Sequence, residues 1–426
     1  MKYAVVTFGC RVNQSDSLEL EARLLGSGAV SAPPDCADLV VVNTCSVTAT
    51  ADQGARQTIR RIARDNPHAQ IVVTGCYATR RPDEIAALPN VAHVVCNDDK
   101  PRLLQVIAKA SAERAGAPGD GPCGAAIEPG VAGRTAYTLR VQTGCAEPCS
   151  YCIIPTTRGA PRSVAIADVI RDAARVTASG FKEIALTGVH LGSYGRDLEP
   201  RTSLLELLLR LERWRARNEG RTRVLFRISS LEPMDCSREI VDLVSASDRF
   251  APHFHLPLQH ASNRLLAAMR RPYTLEYYAA LVDDIRARVP HASIGSDIIV
   301  GFPGETDEDF DELAAYLERS PLTHLHVFPY SDRPGTIAST LGGRAPGAVV
   351  RERARRVREI GRQLTNRFHD SQVGTTQDAL TLEDGSIAVT GNYLKLAIPP
   401  GHVRNEWVRV RIASNEPLAG VVVEMH

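Results

Sequence analysis

Apolar positions along this chain fall into three successive patterns. From the start to about Ala110, short apolar runs at Tyr3–Phe8, Leu39–Val42, Ile71–Val73 and Val91–Val95 alternate with stretches of helical periodicity. Runs that are apolar at every position, rather than every second one, belong to strands covered on both faces, so this part reads as a doubly wound parallel sheet. The segment "RAGAPGDGPCGAAIEPGVAGRTA", Arg114 to Ala136, is rich in Gly, Ala and Pro without any apolar period and reads as a linker.

Strand and helix signals resume at Tyr137, with "YTLRVQTGC", "EIALTGV", "VLFRISS", "HFHLPLQ", "SIGSDIIVG" and "HLHVFPYS" separated by helical patterns. In "TDEDFDELAAYLERSP", Thr306 stands as an N-cap ahead of a first turn of acids, and Pro321 lies beyond the end. Six strand–helix units predict a parallel barrel, incomplete beside the eight-unit form. A basic helix follows, "RERARRVREIGRQLTNRF" from Arg351 to Phe368, and then "QDALTLE", "SIAVTG", "YLKLAI" and "WVRVRI" with Gly, Asn and Pro turns between them. These alternating segments predict a small antiparallel β-barrel of about five strands. The fold class is therefore α/β with a β appendage: a doubly wound domain at 1–112, a linker at 113–134, a partial (βα)6 barrel at 135–365 and the small barrel at 366–426.

Composition narrows the function by exclusion. Lys plus Arg number 50 against 49 for Asp plus Glu, so overall charge gives no argument for nucleic acid, and any such case rests on local clusters. Nowhere do about 18 apolar residues run together, and "MKYAVVTFGC" opens on a strand rather than a charged start leading into an apolar segment. No membrane span and a cytoplasmic location are expected. In that compartment thiols stay reduced, so ten cysteines favour metal ligation or redox chemistry over a disulfide framework.

Two sets of cysteines stand out. Cys10, Cys45 and Cys76 follow "AVVTFG", "DLVVVNT" and "QIVVTG", three strand ends where a doubly wound sheet gathers its ligands, so they should be neighbours in space. Cys145, Cys149 and Cys152 follow the pattern C-x3-C-x2-C in "TGCAEPCSYC", on a loop leaving the first barrel strand. A 4Fe–4S cluster ordinarily takes four thiolates, so three close cysteines leave one iron open to a further ligand. Structural zinc is the competing reading, but a closed zinc site needs a fourth ligand, and neither a second C-x2-C nor a close His supplies it. Cys36, Cys96, Cys123 and Cys236 read as bystanders. Around the barrel mouth, strand ends carry Cys145, Thr187, Ser229, Gln259, Asp297 and Tyr330.

The C-x3-C-x-aromatic-C spacing, with Tyr151 as the aromatic, resembles the radical S-adenosylmethionine superfamily. That resemblance implies that the open iron binds the amino and carboxylate groups of S-adenosylmethionine, and that an electron from the cluster releases a 5′-deoxyadenosyl radical. Tyr151 would lie against the adenine, Thr187 and Gly188 on the methionine side and Ser229 and Glu232 by the ribose. Gln259 and Asp297 would complete the cofactor rim. Further stretches, "TFGCRVNQSDS", "VVNTCSVT", "GCAEPCSYCIIPTTRG", "ALTGVHLGSYG", "LPLQHASNRLLAAMRRPYT" and "DIIVGFPGETDEDF", are similar to the methylthiotransferases over nearly the whole chain. Membership would imply two 4Fe–4S clusters, a tRNA substrate, an electron donor such as flavodoxin or ferredoxin, and a final barrel similar to the RNA-holding TRAM domain.

Within that family "GCRVNQ" resembles the branch that methylthiolates N6-threonylcarbamoyladenosine beside the anticodon, and Arg11 could pair with its threonyl carboxylate. Methylthiolation of N6-isopentenyladenosine is the nearest rival, and a non-catalytic iron–sulfur or zinc RNA-binding protein is a rival of another class. Two positions depart from the family pattern: Gln259-His260-Ala261-Ser262 replaces Gln-Ser-Gly-Ser, and Ser15 replaces a Tyr expected to shape the auxiliary pocket. The Arg-rich helix is expected to touch phosphate, and Tyr393 and Trp407 to stack bases or fill the small barrel. The oligomeric state is not readable from the chain.

Overall fold

The computed structural model describes residues 1–112, 129, 135–214 and 223–423. Apart from Pro129, the linker at 113–134, with Cys123 in it, lies outside the described residues. The amino-terminal part runs β1 (Lys2–Thr7), α1 (Arg11–Gly26), β2 (Val30–Ser31), β3 (Leu39–Thr44), α2 (Ala49–Asp65), β4 (Gln70–Gly75), α3 (Cys76–Arg80), α4 (Pro82–Ala86), β5 (Val91–Val95) and α5 (Leu103–Ala112). Its parallel sheet has the order β2-β1-β3-β4-β5. Every residue of β3 is buried because the sheet carries a core on each face: Val40 and Val42 pack with Ile59 and Ile62 of α2, while Leu39 and Val41 pack with Leu24 of α1 and Leu103 of α5. That two-sided cover is what the unbroken apolar runs encode.

The central part adds β6 (Ala136–Arg140), β7 (Gln142–Thr143), α6 (Ile154–Arg158), β8 (Arg162–Ser163), β9 (Glu183–Thr187), β10 (Leu225–Ile228), β11 (His253–His255), β12 (Ser293–Val300) and β13 (His324–Pro329). Parallel ladders join β6-β9-β10 and β11-β12-β13, and a parallel bridge between Phe226 and Phe250 connects the two halves into a six-stranded arc. Alternation along each strand sorts the side chains. Leu139, Ile184, Phe226, Phe254, Ile294 and Ile298 face the helices and form the main core. The intervening positions, among them Thr187, Arg227, His255 and Asp297, face the hollow of the arc. Thr306 caps the helix Asp307–Arg319 in a reciprocal capping box with Asp309, as its sequence predicts.

The basic helix is longer than predicted, Gly347–Gln372, and runs straight through the 365/366 limit drawn from sequence. Five of its seven arginines pair with other groups of the protein. Arg353 is buried against Glu305 at 2.7 Å and Asp307 at 2.6 Å, and Arg367 donates to the Ser320 carbonyl. Arg355 and Arg362 pair with Glu352 and Glu359 one turn earlier, and Arg356 lies 3.7 Å from both Asp311 and Glu318. Beyond the helix, β14 (Thr376–Leu382), β15 (Ile387–Thr390), β16 (Lys395–Ala397), β17 (Trp407–Ser414) and β18 (Ala419–Val423) close a barrel in the order β14-β15-β16-β18-β17. All its pairs are antiparallel except β16 with β18. Trp407 neither fills this barrel nor stands free as a platform: its indole N–H donates to the Arg223 carbonyl at 3.1 Å, on the seam with the central arc. Among the described residues no helix is long and apolar enough to cross a membrane.

The amino-terminal domain docks on the arc around two buried carboxylates, Asp16 and Asp52, the second held by Arg333 at 2.7 Å. Asp16 on α1 pairs with Lys100 at 2.6 Å and Arg158 at 3.2 Å, and also with Arg140 of β6. Burial alone would raise its pKa, but the three cations hold it well below the usual carboxylate range. Ser15 accepts from the Arg140 backbone N–H at 3.1 Å, so it belongs to this seam instead of lining a pocket at the cysteines. Asp16→Asn leaves Lys100 and Arg158 buried without their anion and is expected to destabilise the cluster-free chain by about 3–5 kcal/mol in urea unfolding. Because the folded carboxyl is depressed, the Asp16 contribution is complete above its unfolded pKa of about 3.9 and is lost progressively as the solution is acidified below that value.

Candidate active site

β1, β3 and β4 are adjacent in one parallel sheet, so their carboxyl ends meet at one edge and carry the first three thiols there. Cys10 caps the start of α1 and is exposed, Cys45 follows β3 and is buried, and Cys76 opens α3 directly after β4 and is buried. Gly9 makes the approach possible: its φ is +87°, and a Cβ there would stand 2.5 Å from the Cys45 Sγ. Asn13 ties two of the loops together, donating to the Phe8 carbonyl at 2.8 Å and the Thr44 carbonyl at 2.9 Å. Asn97 lies beside the third, with its Nδ2 3.7 Å from the Cys76 Sγ.

The second trio sits on the loop after β7. Gly144, at φ +75°, would place a Cβ 1.9 Å from the Ala160 carbonyl, so only glycine lets the loop turn this closely. Ser150 anchors the loop by donating its N–H to Met269 O at 3.1 Å and its hydroxyl to Ala268 O at 2.8 Å. Arg271 donates to the Cys149 Sγ at 3.1 Å, while its other guanidinium nitrogens bond to Tyr273 and Glu232. His190 bonds Asp235 at 2.8 Å; burial would lower its pKa, but hydrogen bonds to Asp235 and Cys145 push it up to about 9. α6 leaves this loop two residues after Cys152 and ends on Arg158, which reaches back to Cys76 and Asp16. Five residues of helix thus connect one thiol trio to the other.

The donor set can be tested against possible occupants. Around a single tetrahedral zinc, with Zn–S near 2.3 Å, sulfurs lie about 3.8 Å apart. Among the described residues only His255, Asp297 and His326 bring three ligand atoms within 4.8 Å of one another, and neither cysteine trio does. A cube does not ask three sulfurs to converge on one metal, since each sulfur holds its own iron. Burial pushes the Cys45 thiol up to about 11 and Cys152 to about 12, so a metal-bound cation is what would hold them as thiolates. Arg158 Nε, whose guanidinium reaches Cys76, and Ser229 Oγ, just past β10, are buried polar atoms with no protein partner. The residues present fit iron–sulfur cubes with a polar ligand beside them.

The remaining candidates are placed unevenly. Tyr151 is half-buried and packs against the cluster of Leu265, Met269 and Phe302. Thr187 ends β9, and a Cβ on Gly188 would come within 3.0 Å of the Gln142 Oε1. Ser229 follows β10; Glu232 is held by Arg271. Gln259 lies four residues past β11 in a left-handed conformation, φ +70°, and donates its backbone N–H to Asp297 O at 2.9 Å. Beside it His260 is wholly buried and lowered to about 4 by desolvation, and Ser262 caps the helix Asn263–Ala268. Asp297 departs from its predicted place. It lies within β12, not past its end, and one carboxylate oxygen accepts from His255 at 2.9 Å and His326 at 3.1 Å.

Sequence reasoning missed Arg158, His190 and Arg271, single residues whose partners are far away in the chain. It also missed the inward histidines, although "HFH" and "HLH" carry the alternation that turns both histidines of each pair to the same face.

Two family models match the chain: residues 2–97 match the uncharacterized protein family UPF0004, and residues 139–317 match the radical SAM superfamily. The chain is 37% identical over 404 residues to the threonylcarbamoyladenosine tRNA methylthiotransferase MtaB of Aquifex aeolicus, covering 93% of this chain and 96% of that protein. It is 32% identical over 397 residues to a tRNA-2-methylthio-N(6)-dimethylallyladenosine synthase of Corynebacterium glutamicum, covering 90% and 75%. The radical S-adenosylmethionine methyltransferase TsrM from Kitasatospora setae has a similar fold, with a TM-score of 0.57 at 16% identity over 79% of this chain and 74% of that one. The chain belongs to the radical S-adenosylmethionine methylthiotransferase family, most like its threonylcarbamoyladenosine branch.

Proposed function

We propose that this protein is a cytoplasmic tRNA methylthiotransferase that converts N6-threonylcarbamoyladenosine beside the anticodon to its 2-methylthio derivative. The observation that carries this reading is the pair of three-thiol sites, neither drawn together as a single zinc would require, joined across one domain seam by α6. A purine C2–H is too weakly acidic for any side-chain base at neutral pH, so proton abstraction cannot begin the reaction. Two 4Fe–4S clusters with S-adenosylmethionine, when bound, would supply the radical that removes this hydrogen and the sulfur and methyl group that replace it.

The chain's own residues have narrower tasks. Cys145, Cys149 and Cys152 would hold the radical cluster, with Arg271 and His190 donating hydrogen bonds to the Cys149 and Cys145 sulfurs and so stabilising added electron density. Cys10, Cys45 and Cys76 would hold the auxiliary cluster, and Arg158, with its unpartnered Nε, would set the charge there. Ser229 Oγ offers S-adenosylmethionine a hydrogen-bonding group that no protein atom uses. Tyr151, Thr187, Gly188, Glu232, Gln259 and Asp297 complete the proposed cofactor side. An electron donor such as flavodoxin or ferredoxin would reduce the radical cluster.

Three outcomes test this. Nucleosides from cells lacking the protein should lose the methylthio group from threonylcarbamoyladenosine and keep it on isopentenyladenosine, read by mass spectrometry; the opposite pattern assigns the other substrate. Reconstituted protein should hold about eight irons, falling to about four when Cys10, Cys45 and Cys76 are replaced together by Ala. That triple variant should still cleave S-adenosylmethionine to 5′-deoxyadenosine on reduction while failing to insert sulfur, whereas Cys149→Ala should do neither.

A further inference from the structure

The hollow of the arc contains a group of cations that the chemistry above does not use. Tyr393, from the turn between β15 and β16, leaves the small barrel and enters this hollow, with the left-handed φ of +72° that a bulky residue rarely adopts. Three elements from two other parts of the chain converge on its ring. Arg11, the residue after Cys10, donates to its hydroxyl at 2.9 Å. Arg227 of β10 lies over its face, 4.4 Å from the centroid, and His253 of β11 stacks on it at 5.1 Å. Two arginines therefore flank one tyrosine directly beside the auxiliary thiols.

Not every donor here finds an acceptor within the protein. Glu183 takes the Arg227 Nε at 2.7 Å and the Gly391 carbonyl takes one Nη at 2.8 Å, which leaves the other Nη buried and unpartnered. His253 Nδ1 is likewise buried without a partner. Asp297 is already shared by His255 and His326. Burial and neighbouring cations push His253 well below its ordinary value, and burial with His255 and His326 pushes His324 down to about 3. Those two rings stay neutral, so the permanent positive charge resides on Arg11 and Arg227. Gly295 lets the histidine rings pack directly on the β12 backbone, since a Cβ there would lie 2.0 Å from His324 Nε2.

We propose that Arg11 and Arg227, organised around Tyr393, are the receptor for the threonyl carboxylate of the substrate nucleoside. This rests on the function proposed above and supplies its selectivity: a carboxylate completes the unused donors, whereas an apolar isopentenyl group would leave them buried and unpaired. Because Arg11 adjoins Cys10, an anion held there brings the attached purine to the auxiliary cluster.

The test uses the reconstituted holoenzyme and anticodon stem-loop RNAs carrying threonylcarbamoyladenosine, its methyl ester, or isopentenyladenosine, with binding read by fluorescence anisotropy. The free acid should bind at least about tenfold tighter than the ester, the factor expected of one charged hydrogen bond in a buried site. Arg11→Gln, with iron content and cluster spectrum unchanged, should bring acid and ester to within about twofold of each other, and Tyr393→Phe should reduce the preference without abolishing RNA binding. Equal binding of acid and ester by the unmodified protein overturns the receptor. So does a full preference retained by Arg11→Gln. If acid and ester bind alike but cells lacking the protein still lose methylthio-threonylcarbamoyladenosine, the receptor is wrong and the activity stands; tightest binding of the isopentenyl RNA overturns both.

Discussion

Asp16 is a single carboxylate, almost fully withdrawn from water, on which Lys100, Arg140 and Arg158 converge. Desolvating these groups is costly, and the cost is recovered only when the amino-terminal sheet and the arc meet in one relative position. That position brings Cys10, Cys45 and Cys76 to the same seam as the loop of Cys145, Cys149 and Cys152. Arg158 belongs to both arrangements, since it ends the helix that leaves the radical loop and touches the auxiliary side. The relative placement of the two thiol trios is thus tied to an ion cluster at the seam between them. A charge cluster suits this duty because, unlike apolar contact, it tolerates neither rotation nor sliding.

Much of this was legible in the chain because the features concerned are local. Unbroken apolar runs gave the buried strands, the Thr306 capping box gave a helix start, and the C-x3-C-x2-C loop gave its chemistry. The convergence of Cys10, Cys45 and Cys76 followed from topology, since equivalent strand ends in one parallel sheet are neighbours wherever they fall in sequence. Asp297 was misplaced by a few residues because "SDIIVGFPGE" marks where a strand ends only through its glycine, and β12 carries on to Val300. The partners of the Arg-rich helix were hidden for a related reason. Composition records the number of arginines, but whether Glu305, Asp307 or the Ser320 carbonyl waits opposite them is a tertiary fact.

The small barrel is fastened to the rest of the chain at several points. Tyr393 completes the wall of the hollow, Trp407 and Asn405 fasten the barrel to the arc at Arg223 and Gly180, and the helix Gly347–Gln372 joins the two without a flexible break. Whatever the barrel grips is therefore registered against the thiol sites by rigid elements. All three parts of the chain contribute atoms to one chamber, and none of them contains it alone.

The auxiliary thiols are unequally exposed. Cys10 faces solvent, while Cys45 and Cys76 are closed in by the loops that Asn13 and Asn97 secure. Of the three, Cys10 is therefore the thiol that a small oxidant or alkylating reagent in solution meets first.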